Sequence, residues 1–198
     1  MLQDNFSDLE NIRLEKMLRL RAEGIEPYPT TTRRNSSIDA AVQAYQAAEA
    51  ADSSEEIKVI LAGRLRAIRN MGKLSFAHIE DKDAKVQLLF RVDEIGEELL
   101  QAFTRDFDLG DFIEAEGSMF RTRRGEVTLL VKSFRMLAKA LLALPADKDE
   151  EVDGKIVRHA TLTDPETRFR QRYVDLAVNP EVREVFRVRA GAVSALRK

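Results

Sequence analysis

Four side chains near the middle of the 198-residue chain have the types and spacing to read an unpaired nucleobase. Phe76 offers a flat apolar surface, and stacking on an aromatic is worth about 1–3 kcal/mol per base. Gln87 brings an amide that both donates and accepts. Arg69 brings a fork of donors and Glu126 an acceptor. A base splayed out of its stack needs this combination of a platform and polar groups for its Watson–Crick edge. Lys58, Arg64, Lys73, Arg121, Arg123 and Arg124 are cations suited to phosphates. The competing reading makes Phe76 a core residue and leaves the arginines in solvent.

Catalysis has less to build on. The two histidines, His78 and His159, have no Ser or Asp partner and no metal-ligand companion at a recognisable spacing. On an outward strand face His78 can touch RNA, but it reads more simply as a surface histidine. Neither a GxxxxGKS/T nor a GxGxxG phosphate loop is present. The acid pairs Asp81/Asp83 and Glu114/Glu116 read as turn and surface residues. With no cysteine, thiolate metal sites and cysteine nucleophiles are excluded. Neither a catalytic residue nor a metal site is expected.

The elements that must position Phe76 and Gln87 are strands. Ile57 to Arg69 is long and β-like, and Gly63 in its interior predicts a bulge or bend. Residues 70–73 make a turn, Leu74–Glu80 a second strand, and Lys85–Phe90 a third. Side chains alternate across a strand. Ser75, Ala77 and Ile79 therefore belong to the core face, with Val86, Leu88 and Phe90. Phe76, His78 and Gln87 point outward, so Phe76 and Gln87 share a face if the register holds. A helix is predicted over Asp93–Phe107, with Ile95, Leu99, Leu100 and Phe103 on one stripe. Phe112–Arg121 and Glu126–Arg135 complete five strands. Three strands, a helix, then two strands is the order of the OB-fold, a Greek-key barrel that binds oligonucleotides across strands two and three.

The flanks divide the chain into a helical extension (1–54), the barrel (55–145), a linker (146–178) and a final helix (179–198). Ser7-Asp8-Leu9-Glu10 is a capping box. The helix it opens carries Arg13, Lys16, Arg19 and Arg21. It either packs on the body with its charges solvated or lays a basic face on a phosphate backbone. Ile38–Ala50 is a second helix, capped by Ser36 or Ser37. Residues 146–158 are acidic and read as a mobile connector. Asp164-Pro165-Glu166 and Asn179-Pro180-Glu181 both look like helix starts, the first leading through Arg168–Ala177. The last helix spaces Val182, Val185, Phe186, Ala190, Val193 and Leu196 on one side, and its stop at Lys198 suggests a fragment.

At 44% hydrophobic and 33% charged, the chain can bury a core under a solvated surface. A net charge of −2 makes it no general polyanion binder, so any nucleic-acid contact depends on local segregation of charge. Bases do segregate, at 58–73 and 121–135. The N-terminus has no signal-peptide pattern, and no apolar run reaches the roughly 18–20 residues that span a bilayer. A cytoplasmic protein with no membrane contact is expected.

Several strings match a family. AGRLRAIRNMGKLSF, VQLLF, LGD at 109–111 and GEVTL at 125–129 resemble the anticodon-binding domain of bacterial lysyl-tRNA synthetases. So do GIEPYP at 24–29, AKALLALP at 138–145, and RFRQRYVDL followed by NPEVREVFRVR at 168–189. The resemblance implies an OB-fold gripping the U-rich anticodon of tRNA(Lys). Phe76 would stack on the central uridine, Arg69 and Gln87 would read its edge, and Glu126 would contact a neighbouring base. It further implies a homodimeric enzyme that attaches lysine to tRNA. ATP and magnesium would be held in a catalytic domain whose motifs 2 and 3 are absent here. The final helix resembles the start of motif 1, which builds the dimer interface in class II enzymes. Phe169 stands where the family commonly has Tyr, and the stretch 146–160 is longer than its usual connector. Two alternatives remain: a free-standing OB-fold that binds RNA or single-stranded DNA, or the anticodon domain of an aspartyl or asparaginyl enzyme.

Overall fold

The computed structural model describes residues 7–82, 84–145, 148–152, 155–159 and 162–197, with backbone alone for 148–152 and 155–159. Asp83, Lys198 and the side chain of His159 lie outside the described residues. Two compact units emerge, Met1–Ala143 and Leu144–Lys198.

The first unit is a closed five-stranded barrel. Its strands are β1 (Lys58–Met71), β2 (Leu74–Glu80), β3 (Lys85–Arg91), β4 (Phe112–Arg121) and β5 (Val127–Ala138), joined in the order β1-β2-β3-β5-β4. All pairings are antiparallel except β3 with β5. Strand β1 closes the barrel by pairing with β4 along its first half and β2 along its second. Gly63 sits at that crossing. A Cβ there would come within 2.9 Å of the Glu80 carbonyl oxygen, so the glycine permits a close backbone approach. The register shift falls two residues later, between Leu65 and Ala67.

Ser75, Ala77 and Ile79 of β2 are buried, as are Val86, Leu88 and Phe90 of β3. All but Ser75 meet Leu61, Leu65, Ile113, Leu129 and Val131 in one core. The helical segment between β3 and β4 plugs the barrel, but it is not one helix. Gly96, at φ +84°, breaks it into α1 (Val92–Ile95) and α2 (Glu97–Asp106). The glycine takes the left-handed conformation that no preceding helix position needs. The break rotates the stripe, so Leu100 and Phe103 are buried while Leu99 is 46% exposed. Phe103 stacks on Phe90 with ring centroids 4.0 Å apart and meets Phe134 edge-on.

Two N-terminal helices, αN1 (Asp8–Ala22) and αN2 (Ile38–Ala50), lie on the barrel. The Ser7 capping box forms, and αN2 is capped by Ser37 rather than Ser36. Three of the four basic side chains of αN1 are engaged by acceptors on the body, while Arg21 is exposed. Arg13 is 5% exposed and donates to the carbonyls of Leu109 and Ala140. Lys16 pairs with Asp108 at 2.7 Å, and Arg19 with Asp106. Long cationic side chains can cover apolar surface while their heads find acceptors. Leu9, Ile12 and Leu18 are left outside, each about half exposed.

Glu114 is not the surface residue its sequence setting suggests. Its carboxylate is fully buried and receives five hydrogen bonds, from Thr32 Oγ1, the Arg33 backbone N–H, Arg33 Nε, and Arg135 Nε and Nη2. Burial alone would raise its pKa. The donors from Arg135, Arg33 and Thr32 outweigh that and hold it at about 2.

The second unit opens with a hairpin where a mobile connector was expected. Strands β6 (Lys148–Val152) and β7 (Lys155–His159) pair antiparallel, placing Asp149 opposite Arg158 and Glu151 opposite Ile156. Acidic residues disfavour strands, but the KIV run of β7 is β-prone. Three helices follow: α3 (Pro165–Arg170), α4 (Arg172–Val178) and α5 (Pro180–Leu196). Asp164 caps α3 through the Thr167 N–H. The predicted continuous helix is interrupted at Gln171 (φ −113°, ψ 54°). Asn179 does not cap α5 with its side chain. It is buried instead, and its amide donates to Asp175 at 2.7 Å. Asp175 is also held by Arg168 and Arg172, and this draws α3 and α4 together.

Candidate nucleic-acid interface

The outward face of β2 and β3 is where the candidate base-reading residues meet. The register sets Arg69 of β1 opposite Phe76 of β2, and Phe76 opposite Leu89 of β3. Two residues along, His78, Gln87 and Thr128 form a rung across β2, β3 and β5. Directly opposed residues project to the same side of a sheet. Phe76 and Gln87 therefore lie on one face, with their strand neighbours Ala77 and Leu88 turned into the core.

A groove of about 490 Å³ opens over this face. Arg69, Phe76, Gln87 and Glu126 all line it, with Arg123 and Arg124 from the turn between β4 and β5. That turn is fixed by its own backbone: the Thr122 N–H donates to the Glu126 carbonyl and the Gly125 N–H to the Thr122 carbonyl. A half-buried aromatic floor with arginines along one wall suits a stacked base with a phosphate beside it.

Four of the proposed phosphate contacts, Arg64, Arg121, Lys73 and Lys58, lie elsewhere. Arg64 folds its guanidinium over the Phe112 ring, 4.4 Å from the centroid, and donates to the Gly110 carbonyl. Burial and the neighbouring Arg66 lower its pKa. Arg121 is engaged by Glu49 through three contacts of 2.6–3.1 Å and by the Gly125 carbonyl. Lys73 is exposed in the β1–β2 turn but does not line the groove. Lys58, at the far end of β1, pairs with Glu56. The acceptors of Arg64 and Arg121 lie 46 and 72 residues away, so local sequence shows neither.

His78 is not the unengaged surface histidine its sequence setting suggests. Its Nε2 is 2.9 Å from Glu126 Oε1, while Gln87 Nε2 donates to Glu126 Oε2 at 2.7 Å. Thr128 Oγ1 lies 3.0 Å from Gln87 Oε1 and 3.2 Å from the Glu126 carbonyl. The signal was parity: His78 shares the Phe76 face by the same alternation that selected Gln87. Met71, Ala67 and Thr122 also line the groove. Met71 is half exposed, and its flexible thioether adds an adaptable apolar edge beside the aromatic.

Barrel and strand order define an OB-fold, and residues 59–137 match a tRNA anticodon family model described as an OB-fold nucleic acid binding domain. Over nearly its whole length the chain is similar in sequence to proteins named lysine–tRNA ligase. It is 42% identical to the lysine–tRNA ligase of Roseiflexus sp. (strain RS-1) across 97% of the chain and 36% of that protein. It is 40% identical to that of Carboxydothermus hydrogenoformans across 100% of the chain and 37% of the relative. The figures for Pelotomaculum thermopropionicum are 38%, 98% and 35%. The chain thus spans about a third of the length of the curated relatives it matches. Among the described residues no helix is long and apolar enough to cross a membrane, and no cluster of three or more His, Cys, Asp or Glu is placed to hold a metal ion.

Proposed function

We propose that this chain reads the anticodon of a lysine tRNA as the recognition module of a lysine–tRNA ligase. One observation carries the reading: Arg69, Phe76, Gln87 and Glu126, from three strands and a turn, converge on a single groove. Phe76 stacks on the central uridine. Gln87 and Arg69 address its edge, Glu126 contacts a neighbouring base, and Arg123 and Arg124 take phosphates.

The whole enzyme, acting in the cytoplasm, uses ATP and magnesium to join lysine to that tRNA. Both are bound by residues other than those described. It works as a homodimer, in which a partner subunit covers the apolar side of α5, where Val185 and Val188 are about two-thirds exposed. The chain by itself binds an anticodon stem-loop and does not aminoacylate. Titration with stem-loops carrying UUU, or the same loop with a central C, tests the reading. Tighter binding of UUU is expected, and equal affinities would overturn it. A free-standing single-strand binder would also accept any pyrimidine-rich strand.

A further inference from the structure

We infer that His78 is a positioning residue which, through Glu126, fixes the orientation of the Gln87 amide and so sets the groove's preference for uridine over cytidine. The inference deepens the proposed anticodon reading and rests on it. An amide side chain offers a donor and an acceptor side by side, and turning it over exchanges them. Uracil presents an N3–H donor between two carbonyl acceptors. Cytosine presents an acceptor at N3 and a donor at N4. At the N3/C4 edge either base can pair with an amide, but each needs the opposite order of N–H and C=O. A freely rotating Gln87 would accept both bases. Discrimination requires something that holds the amide one way round.

The structure contains such a device. A carboxylate only accepts, so the Gln87 atom 2.7 Å from Glu126 Oε2 must be the nitrogen. Thr128 Oγ1, 3.0 Å from Gln87 Oε1, supplies a hydroxyl on the oxygen side. That hydroxyl has one proton and a second acceptor nearby in the Glu126 carbonyl, so Thr128 alone is an incomplete lock. The carboxylate is therefore the principal constraint, but it is half exposed and sits on a turn. What holds it is His78, whose Nε2 lies 2.9 Å from the other carboxylate oxygen. Because the carboxylate cannot donate, Nε2 carries the proton. Once these bonds are made, Gln87 retains one N–H and one oxygen lone pair for a base.

The His78 side chain points away from the core and is 26% exposed, so replacement leaves the packing of Ala77 and Ile79 untouched. Kd values for central-U and central-C stem-loops would be measured for the full chain and for His78→Leu, His78→Gln and Thr128→Val. His78→Leu is expected to shrink the U-over-C ratio about five- to tenfold, the scale of one lost hydrogen bond, chiefly by improving binding of the C loop. His78→Gln keeps an N–H donor and should restore most of the ratio. Thr128→Val should give a smaller loss. In the free protein, the side-chain amide resonances of Gln87 should move in His78→Leu and return towards their wild-type positions in His78→Gln. An unchanged ratio in His78→Leu, beside a discriminating wild type, overturns the positioning role and leaves the anticodon reading intact. A wild type with no U-over-C preference overturns both.

Discussion

Glu114 and Glu126 sit twelve residues apart, one on β4 and one just before β5, and they are opposites. Glu114 has no exposed surface and receives donors at every turn from Thr32, Arg33 and Arg135. Glu126 is half exposed and has two side-chain partners, His78 and Gln87. A saturated buried carboxylate ties chain segments together, here the loop after the first helix and strands β4 and β5. A carboxylate on a groove with only two partners keeps lone pairs for further donors. The distinction follows from counting donors, since an unmet buried charge is costly and an unmet exposed one is not.

The largest expected effect tests the structural member of the pair. Glu114→Ala should destabilise the barrel by about 3 kcal/mol, because Arg33 and Arg135 lose a shared buried acceptor. Denaturant melts would show it, and a change under 1 kcal/mol would remove the contrast. Acid supplies a second reading of the same carboxylate. Its folded pKa, about 2, lies below the ordinary 4.5. Its contribution is thus complete above about pH 4.5 and is lost as pH falls towards 2. Glu114→Gln should flatten the stability profile in that window.

Phe76→Ala should do the reverse of Glu114→Ala. We expect a loss of about 1–3 kcal/mol in stem-loop binding with little change in melting. A large drop in stability would make Phe76 a core residue after all. The smallest effects should separate the arginines. Replacing Arg123 or Arg124 with Gln should lower the slope of log K against log salt by about 0.7 each, the value for one phosphate contact on a single strand. Arg64→Gln should leave the slope unaltered, since that guanidinium lies against Phe112.

Period-two alternation made the reading face legible in the sequence. Ser75, Ala77 and Ile79 set one parity and Phe76 and His78 the other, and a closed barrel cannot slip by one residue without exposing its core. Gln87 followed from the same logic on β3. Interactions that close over long sequence distances stayed hidden. Thr32 and Arg33 reach Glu114 across more than eighty residues, so a buried clamp looked like a surface acid. Arg121 resembled its neighbours Arg123 and Arg124 until Glu49 proved to hold it. Breaks inside helices were hidden for a different reason. A continuous apolar stripe over 93–107 says nothing about a glycine that takes a positive φ. The pairing of 148–152 with 155–159 is visible only once the register is known.

On the proposed reading, the grip of Glu49 on Arg121 acts on nucleic-acid binding without touching the ligand. Arg121 also holds the Gly125 carbonyl, at 2.6 Å, so one guanidinium ties an N-terminal helix to the turn that carries Arg123 and Arg124. The conformational entropy of that turn is then given up when the protein folds and not when RNA binds. Helix αN2 thereby pre-organises the turn that carries the proposed phosphate contacts. Replacing Glu49 should slow no encounter and remove no phosphate contact, yet should weaken the proposed complex through faster dissociation.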